Sequence, residues 1–213
     1  MKVHKASAEK ILKHQAKRNI KDKKRQRTAS RTPKRERYLI SFKKHVPHVK
    51  TILSIGCRAA VELNDLAKGG YELTGIDIVP PDIEGEYLLI DAHKMDEHFA
   101  ENQFDFIYAA HSMEHMHDAP KVLKSIRKIA RYGCFLVLPA AVRSLTTKKK
   151  PSMSHPTIFD IMLANVRSLN EVNDSLLQDF SPLRPFELAH YHYEQHSQKK
   201  KKNECELLFK WNP

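Results

Sequence analysis

The chain has 213 residues, a mass of 24.7 kDa and a formal net charge of +12. Residues 1–50 hold 18 Lys and Arg against 3 Asp and Glu, a local +15, whereas the other 163 residues hold 19 against 22, a local −3. A uniformly basic protein is excluded: a near-neutral body, long enough for one ordinary domain but too short for two, follows a cationic leader.

The leader, residues 1–32, is too charged to bury a core of its own, and Ile11, Leu12 and Ile20 are the main interruptions of its polar run. A disordered or frayed helical arm is expected there, whose removal leaves the melting temperature of the domain in 33–213 nearly unchanged. Its blocks KDKKRQR and RTPKRER suit anion binding, so residues 1–50 are a candidate contact for nucleic acid or another polyanion through sequence-blind phosphate contacts. An anionic membrane surface or an acidic protein is the second candidate. The opening MKVHKASAEK lacks the apolar centre of a secretory signal, and no apolar run approaches the ~20 residues of a transmembrane segment, so a soluble, cytoplasmic protein is expected.

Tyr38, Leu39, Phe42 and Val46 recur at helical spacing up to Pro47, which predicts an amphipathic helix docked on the domain that follows. Between Thr51 and Val142, the short apolar runs TILSIG, YELTGIDIV, EYLLIDA, FDFIYAA and CFLVLPA read as strands. They alternate with the helical stretches AVELNDLAKGG, MDEHFAEN and APKVLKSIRKIARYG; the last carries Val122, Leu123, Ile126 and Ile129 on one face, with Gly133 as its stop. Cys57, Cys134 and Cys205 are too scattered for a zinc pattern or a disulfide framework. After Ser144 come the polar loop TTKKKPSMSHP, the helical TIFDIMLANVRSL and NEVNDSLLQDF, and two alternating strands, FELAHYHYEQ and ECELLFKW, joined through SQKKKKN. The expected fold is α/β, Rossmann-like and doubly wound, with a mostly parallel seven-stranded sheet and an antiparallel C-terminal edge hairpin.

In such a sheet the residues just after each strand face the ligand. Those positions hold Gly56-Cys57-Arg58-Ala59-Ala60-Val61-Glu62, then Asp77-Ile78, then Asp91-Ala92-His93, then His111-Ser112-Met113-Glu114-His115. Asp77 stands 21 positions beyond Gly56, a spacing that suits a carboxylate on the ribose of an adenosine-containing cofactor.

The series ILSIGCRAAVEL, LTGIDI, LLIDAHKMD, NQFDFIYAAHSMEHMHD and RYGCFLVLP resembles the small class I S-adenosylmethionine-dependent methyltransferases near the ubiquinone-type enzymes, over residues 50–142. The resemblance implies S-adenosylmethionine as cofactor. It runs the Gly56 loop, with Cys57 and Arg58, beneath the methionine part, sets Asp77 and Ile78 at the ribose, and lets Asp91, Ala92 and His93 border the adenine. It also implies His111 and Ser112 beside the sulfonium and the acceptor, with Glu114 and His115 as further catalytic candidates. The glycine loop departs from the family pattern at Ser54, Arg58 and Ala60, and Glu62 is a candidate carboxylate for the cofactor's amino group.

Plainer readings stand beside these. Gly56 suits a tight turn, Asp77 and Asp91 suit helix N-caps, Cys57 suits a small buried residue, and His111 suits either a catalytic base or a pocket wall. His155, in SMSHPTIFD, is a candidate substrate contact in a loop that closes over the acceptor. His111 to His115 also match the H-x-x-E-H metalloprotease motif, but they follow a strand and Pro120 begins the next helix, so no metal is expected. Two functions follow: a methyltransferase acting on a small-molecule, sugar or nucleic-acid acceptor, or a catalytically silent module that binds nucleic acid or a protein through its arm.

Overall fold

The computed structural model describes residues 1–26, 32–57, 66–80, 87–140, 151, 153, 156–159, 169, 177–194 and 203–212. Its main sheet is built from β2 (Thr51–Ile55), β3 (Glu72–Asp77), β4 (Tyr87–Leu89), β5 (Phe104–Ala110), β6 (Ala130–Ala140), β8 (Glu187–Glu194) and β9 (Asn203–Lys210). The strand order is β4-β3-β2-β5-β6-β9-β8, parallel from β4 to β6. The chain leaves β2 for β3 and β4, then returns to β5 on the other side of β2, which creates a switch point between the carboxyl ends of β2 and β5. The expected seven strands and terminal hairpin are present, and β9 inserts antiparallel between β6 and β8.

Burial on both faces explains the apolar runs. All seven residues of β5 are buried. Its one acid, Asp105, is satisfied: Oδ2 accepts the N–H groups of Lys50 at 2.9 Å and Thr51 at 3.1 Å. On one face lies α3 (Ala119–Ile129), whose Val122, Leu123, Ile126 and Ile129 are fully buried. Asp118 starts it by accepting the Lys121 N–H at 3.1 Å, with Pro120 in its first turn. The helix ends at Ile129, earlier than expected, because Ala130 already pairs with Phe104. Gly133 is therefore a strand residue; a Cβ there would lie 2.1 Å from the Phe209 carbonyl oxygen.

The other face is covered by α2 (Thr32–His45), with Tyr38, Phe42 and, just beyond it, Val46 buried as the spacing predicts. The Phe42 ring meets Phe106 edge-on at 5.4 Å and Phe135 at 5.9 Å.

The leader differs from a free arm. Residues Lys2–Val3 form β1, which pairs antiparallel with β7 (Thr157–Ile158), and the His4 N–H donates to the Pro156 carbonyl at 2.7 Å. The helix α1 (Ala8–Gln26) follows, with Ile11 only 1% exposed. Ile11 and Gln15 are one turn apart and share a buried face. The polar average of the segment hid this two-residue stripe.

Candidate functional site

The carboxyl ends of β2, β3 and β5 are locked together around one glycine. Gly56 leaves β2 with φ +74°, and its N–H donates to the Ile76 carbonyl at 2.9 Å. A Cβ at this position would lie 2.6 Å from Ser112 Cβ, so both the backbone conformation and the packing call for glycine. Ser112 is buried, and its hydroxyl donates to the Ile55 carbonyl at 2.7 Å. Ser112 thus packs directly on the Gly56 backbone at the switch point. Cys57 is buried beside it, with Sγ 3.5 Å from the Ile76 carbonyl oxygen. Cys134 and Cys205 are fully buried, which pushes both thiols up, with Glu206 adding to the effect at Cys205.

Asp77 closes β3. Its Oδ1 accepts the N–H groups of Ile78 at 2.7 Å and Val79 at 3.3 Å, which holds the carboxylate at the strand end and bends the chain away. Tyr87, which opens β4, donates its hydroxyl to the Val79 carbonyl at 2.5 Å. Burial, then the Asp77 and Cys57 charges, raise this phenol. Tyr87 was missed in the sequence, where an aromatic at the start of EYLLIDA reads only as a strand residue.

Asp91 caps the 3₁₀ turn Ala92–Lys94, accepting the His93 N–H at 3.0 Å, with His93 Nδ1 2.6 Å from the same oxygen. Burial alone would raise this carboxyl, but the His93 ring and backbone bonds outweigh it and hold it below the usual carboxylate range. Ala92 and His93 are buried. Asp91 is thus an N-cap, as one of its two readings had it.

His111 follows β5 with φ +53°, unusual for a non-glycine residue, while its N–H donates to the Val137 carbonyl at 2.8 Å. This conformation costs about 1–3 kcal/mol and persists only where neighbours enforce it. Its imidazole is about one-third exposed, and Nδ1 lies 3.7 Å from Glu114 Oε1. Glu114 sits in the buried 3₁₀ turn Met113–His115, and its Oε2 has no hydrogen-bond partner among the described residues. Burial would raise this carboxyl, but the His111 and His115 imidazoles outweigh it and bring it below the usual range. The partly exposed imidazole and the buried carboxylate thus face each other at 3.7 Å, just beyond hydrogen-bond distance.

The leader reaches this turn. Gln15, itself buried, donates Nε2 to the His115 carbonyl, and Thr157 of β7 donates its hydroxyl to the Met116 carbonyl at 2.6 Å. Gly56, Cys57, Asp77, Ile78, Asp91, Ala92, His93, His111, Ser112, Glu114 and His115 therefore all lie at the carboxyl ends of β2 to β5. Arg58, Glu62 and His155 lie outside the described residues. Among the described residues no three His, Cys, Asp or Glu side chains converge as a metal-binding group. A cavity of about 620 Å³, lined by His45, Phe106, Phe186 and Trp211 among others, lies at the opposite edge of the sheet, where the parallel strands begin.

A family model described as a methyltransferase domain matches residues 12–197. Among solved structures, a 1,6-didemethyltoxoflavin N1-methyltransferase from Burkholderia thailandensis matches with a TM-score of 0.70 and 12% identity, over 100% of this chain and 94% of its own. The N-methyltransferase NodS from Bradyrhizobium japonicum matches at 0.56 and 16% identity, over 86% and 99%. A SAM-dependent methyltransferase from Archaeoglobus fulgidus matches at 0.54 and 14%, over 83% and 94%. At these identities the likeness is one of fold. No curated protein matches the chain in sequence.

Proposed function

The chain belongs to the methyltransferase-domain family, and we propose that it transfers a methyl group from S-adenosylmethionine to a small-molecule acceptor bound beside His111. The residues present fit the cofactor: the Gly56 turn leaves backbone without a side chain at the carboxyl end of β2, at the switch point, and the Asp77 carboxylate stands at the end of the adjacent strand. On this reading Gly56 and Cys57 lie beneath the methionine part, Asp77 and Ile78 hold the ribose, and Asp91 with Ala92 borders the adenine; Arg58 remains a candidate contact and Glu62 a candidate carboxylate for the cofactor's amino group. When bound, the cofactor supplies a methyl group on a positively charged sulfur.

The chain's own contribution is alignment, exclusion of water and, for an acceptor with an O–H or N–H, removal of a proton. His111 accepts that proton at Nε2, since Nδ1 is the nitrogen that faces Glu114. The Glu114 carboxylate stabilises the imidazolium that results, and the Ser112 hydroxyl, bonded to the Ile55 carbonyl, keeps the strand ends in register. His115 contributes through its carbonyl, which Gln15 of the leader holds. His155 remains a candidate acceptor contact.

The observation that carries the small-molecule reading is the seating of the leader beside the His111–His115 turn, where Gln15 holds the His115 carbonyl and β1 pairs with β7, whose Thr157 holds the Met116 carbonyl. A macromolecular acceptor needs that approach open, and a small one gains from having it covered. The Burkholderia neighbour that spans the whole chain holds 1,6-didemethyltoxoflavin together with S-adenosylhomocysteine, which supports the same reading. The basic residues of the leader's exposed face then favour an acceptor carrying negative charge, and they are also the surface through which a polyanion would bind. A soluble, cytoplasmic setting suits this chemistry, and among the described residues no helix is long and apolar enough to cross a membrane.

Calorimetric titration with S-adenosylhomocysteine tests the reading. Micromolar binding is expected, weakened about tenfold or more by Asp77→Ala, because a charged hydrogen-bond acceptor is lost. No binding at millimolar ligand, or binding indifferent to Asp77→Ala, would refute it.

A further inference from the structure

His93 has both ring nitrogens committed to the protein. Nδ1 lies 2.6 Å from Asp91 Oδ1, and Nε2 accepts the Asp118 N–H at 3.2 Å. A ring nitrogen that accepts carries no hydrogen, so the hydrogen sits on Nδ1 and points at the carboxylate. The ring is buried, and the His117 ring stacks on it with centroids 3.7 Å apart and planes inclined by 24°. Asp118 in turn caps α3. One imidazole thus ties the loop after β4 to the loop after β5 at the point where α3 begins. Neither end is a generic packing contact: both bonds depend on where the ring nitrogens stand, and an apolar ring of the same size would release them.

We propose that His93 is a positioning residue for the adenosine end of the cofactor, a strut that sets the gap between the Asp91–Ala92 segment and the Met113–Asp118 segment. This rests on the S-adenosylmethionine reading above, which places the adenine at Asp91 and Ala92. It also moves His93 from the cofactor contacts to the layer behind them, since its nitrogens have no capacity left for a ligand. A gap held open in advance raises affinity by removing the cost of ordering the two loops on binding.

Three variants separate a strut from a packing residue. His93→Phe keeps the volume and the stacking on His117 but removes both hydrogen bonds. His93→Asn places an amide within reach of Asp91 alone, and His93→Gln extends an amide far enough to serve both Asp91 and Asp118. Affinity for S-adenosylhomocysteine is measured by calorimetry well below each variant's unfolding temperature, recorded separately by thermal denaturation. The Phe and Asn variants are expected to bind about tenfold more weakly than the wild type, with the Gln variant within about threefold of it. Should the Phe variant fail to fold, the Gln and Asn pair decides the matter. Equal affinity in the wild type and in either bridge-breaking variant would overturn the proposal, as would a loss that Gln does not rescue. A wild type that binds no S-adenosylhomocysteine would overturn the cofactor reading and the strut together, an outcome distinct from a binding wild type with indifferent variants.

Discussion

Single residues at the strand ends combine several demands that can be tested one at a time. Gly56 meets two of them, a φ of +74° and a contact distance that leaves no room for Cβ. Gly56→Ala is expected to cost about 1–3 kcal/mol in chemical denaturation and to weaken cofactor binding. Adding Ser112→Gly removes the colliding atoms but not the backbone strain, so the double variant should recover only part of the loss; full recovery would mean that packing alone requires the glycine. Glu114 gives a pH signature. Its folded pKa lies below the unfolded value, so its stabilisation is present above the ordinary Glu range and is lost as pH falls through the folded value. The wild-type melting temperature should therefore fall on acidification below pH 4.5, the ordinary value for Glu. Glu114→Gln should flatten part of that fall; parallel curves for the two proteins would show that Glu114 is not held low. Asp91, also held low, is unchanged in both and cancels in the comparison. The strand-end acids and histidines were legible in the sequence because a doubly wound sheet places its ligand there. The partners of those residues were not, since the Asp91–His93–Asp118 chain depends on two loops meeting in space.

At the level of elements, the leader is where expectation and structure part. A composition average over 32 residues describes a solvated arm, yet one strand pair and one helical stripe suffice to seat its first half. Ile11 is as buried as the core of α3, so Ile11→Ala should cost about 2–5 kcal/mol, read as a lowered denaturation midpoint. An unchanged midpoint would return the leader to the status of an arm. The helix α2 was predictable from spacing alone, because Tyr38, Phe42 and Val46 fall on one face and that face had to be buried. The end of α3 was harder: ARYG continues the helical pattern, and only the pairing of Ala130 with Phe104 ends it.

Across the whole molecule, the sheet closes through its last strand. Residues Asn203–Lys210 pair with β6 on one side and β8 on the other, so β9 is interior even though it comes last in the chain. Ending the chain before Asn203 should expose β6 along its length and abolish cooperative unfolding in circular dichroism. A truncated chain that still melts sharply near the wild-type temperature would contradict this topology. The strands of the main sheet and the apolar faces of α2 and α3 were legible in the sequence, because apolar periodicity is a local rule; β1 and β7 were not, since TIFDIMLANVRSL reads as helical and yet Thr157 and Ile158 pair as a strand with Lys2 and Val3. The charge asymmetry was also there to read, but its meaning was not: a +15 segment reads as a tether until Lys2 is found beside Ile158 and Gln15 beside His115. Only the tertiary structure decided those pairings, together with the Gly56–Ser112 contact and the His93 bridge. Each joins residues far apart in the chain, and it forms or fails according to how whole elements are placed against one another.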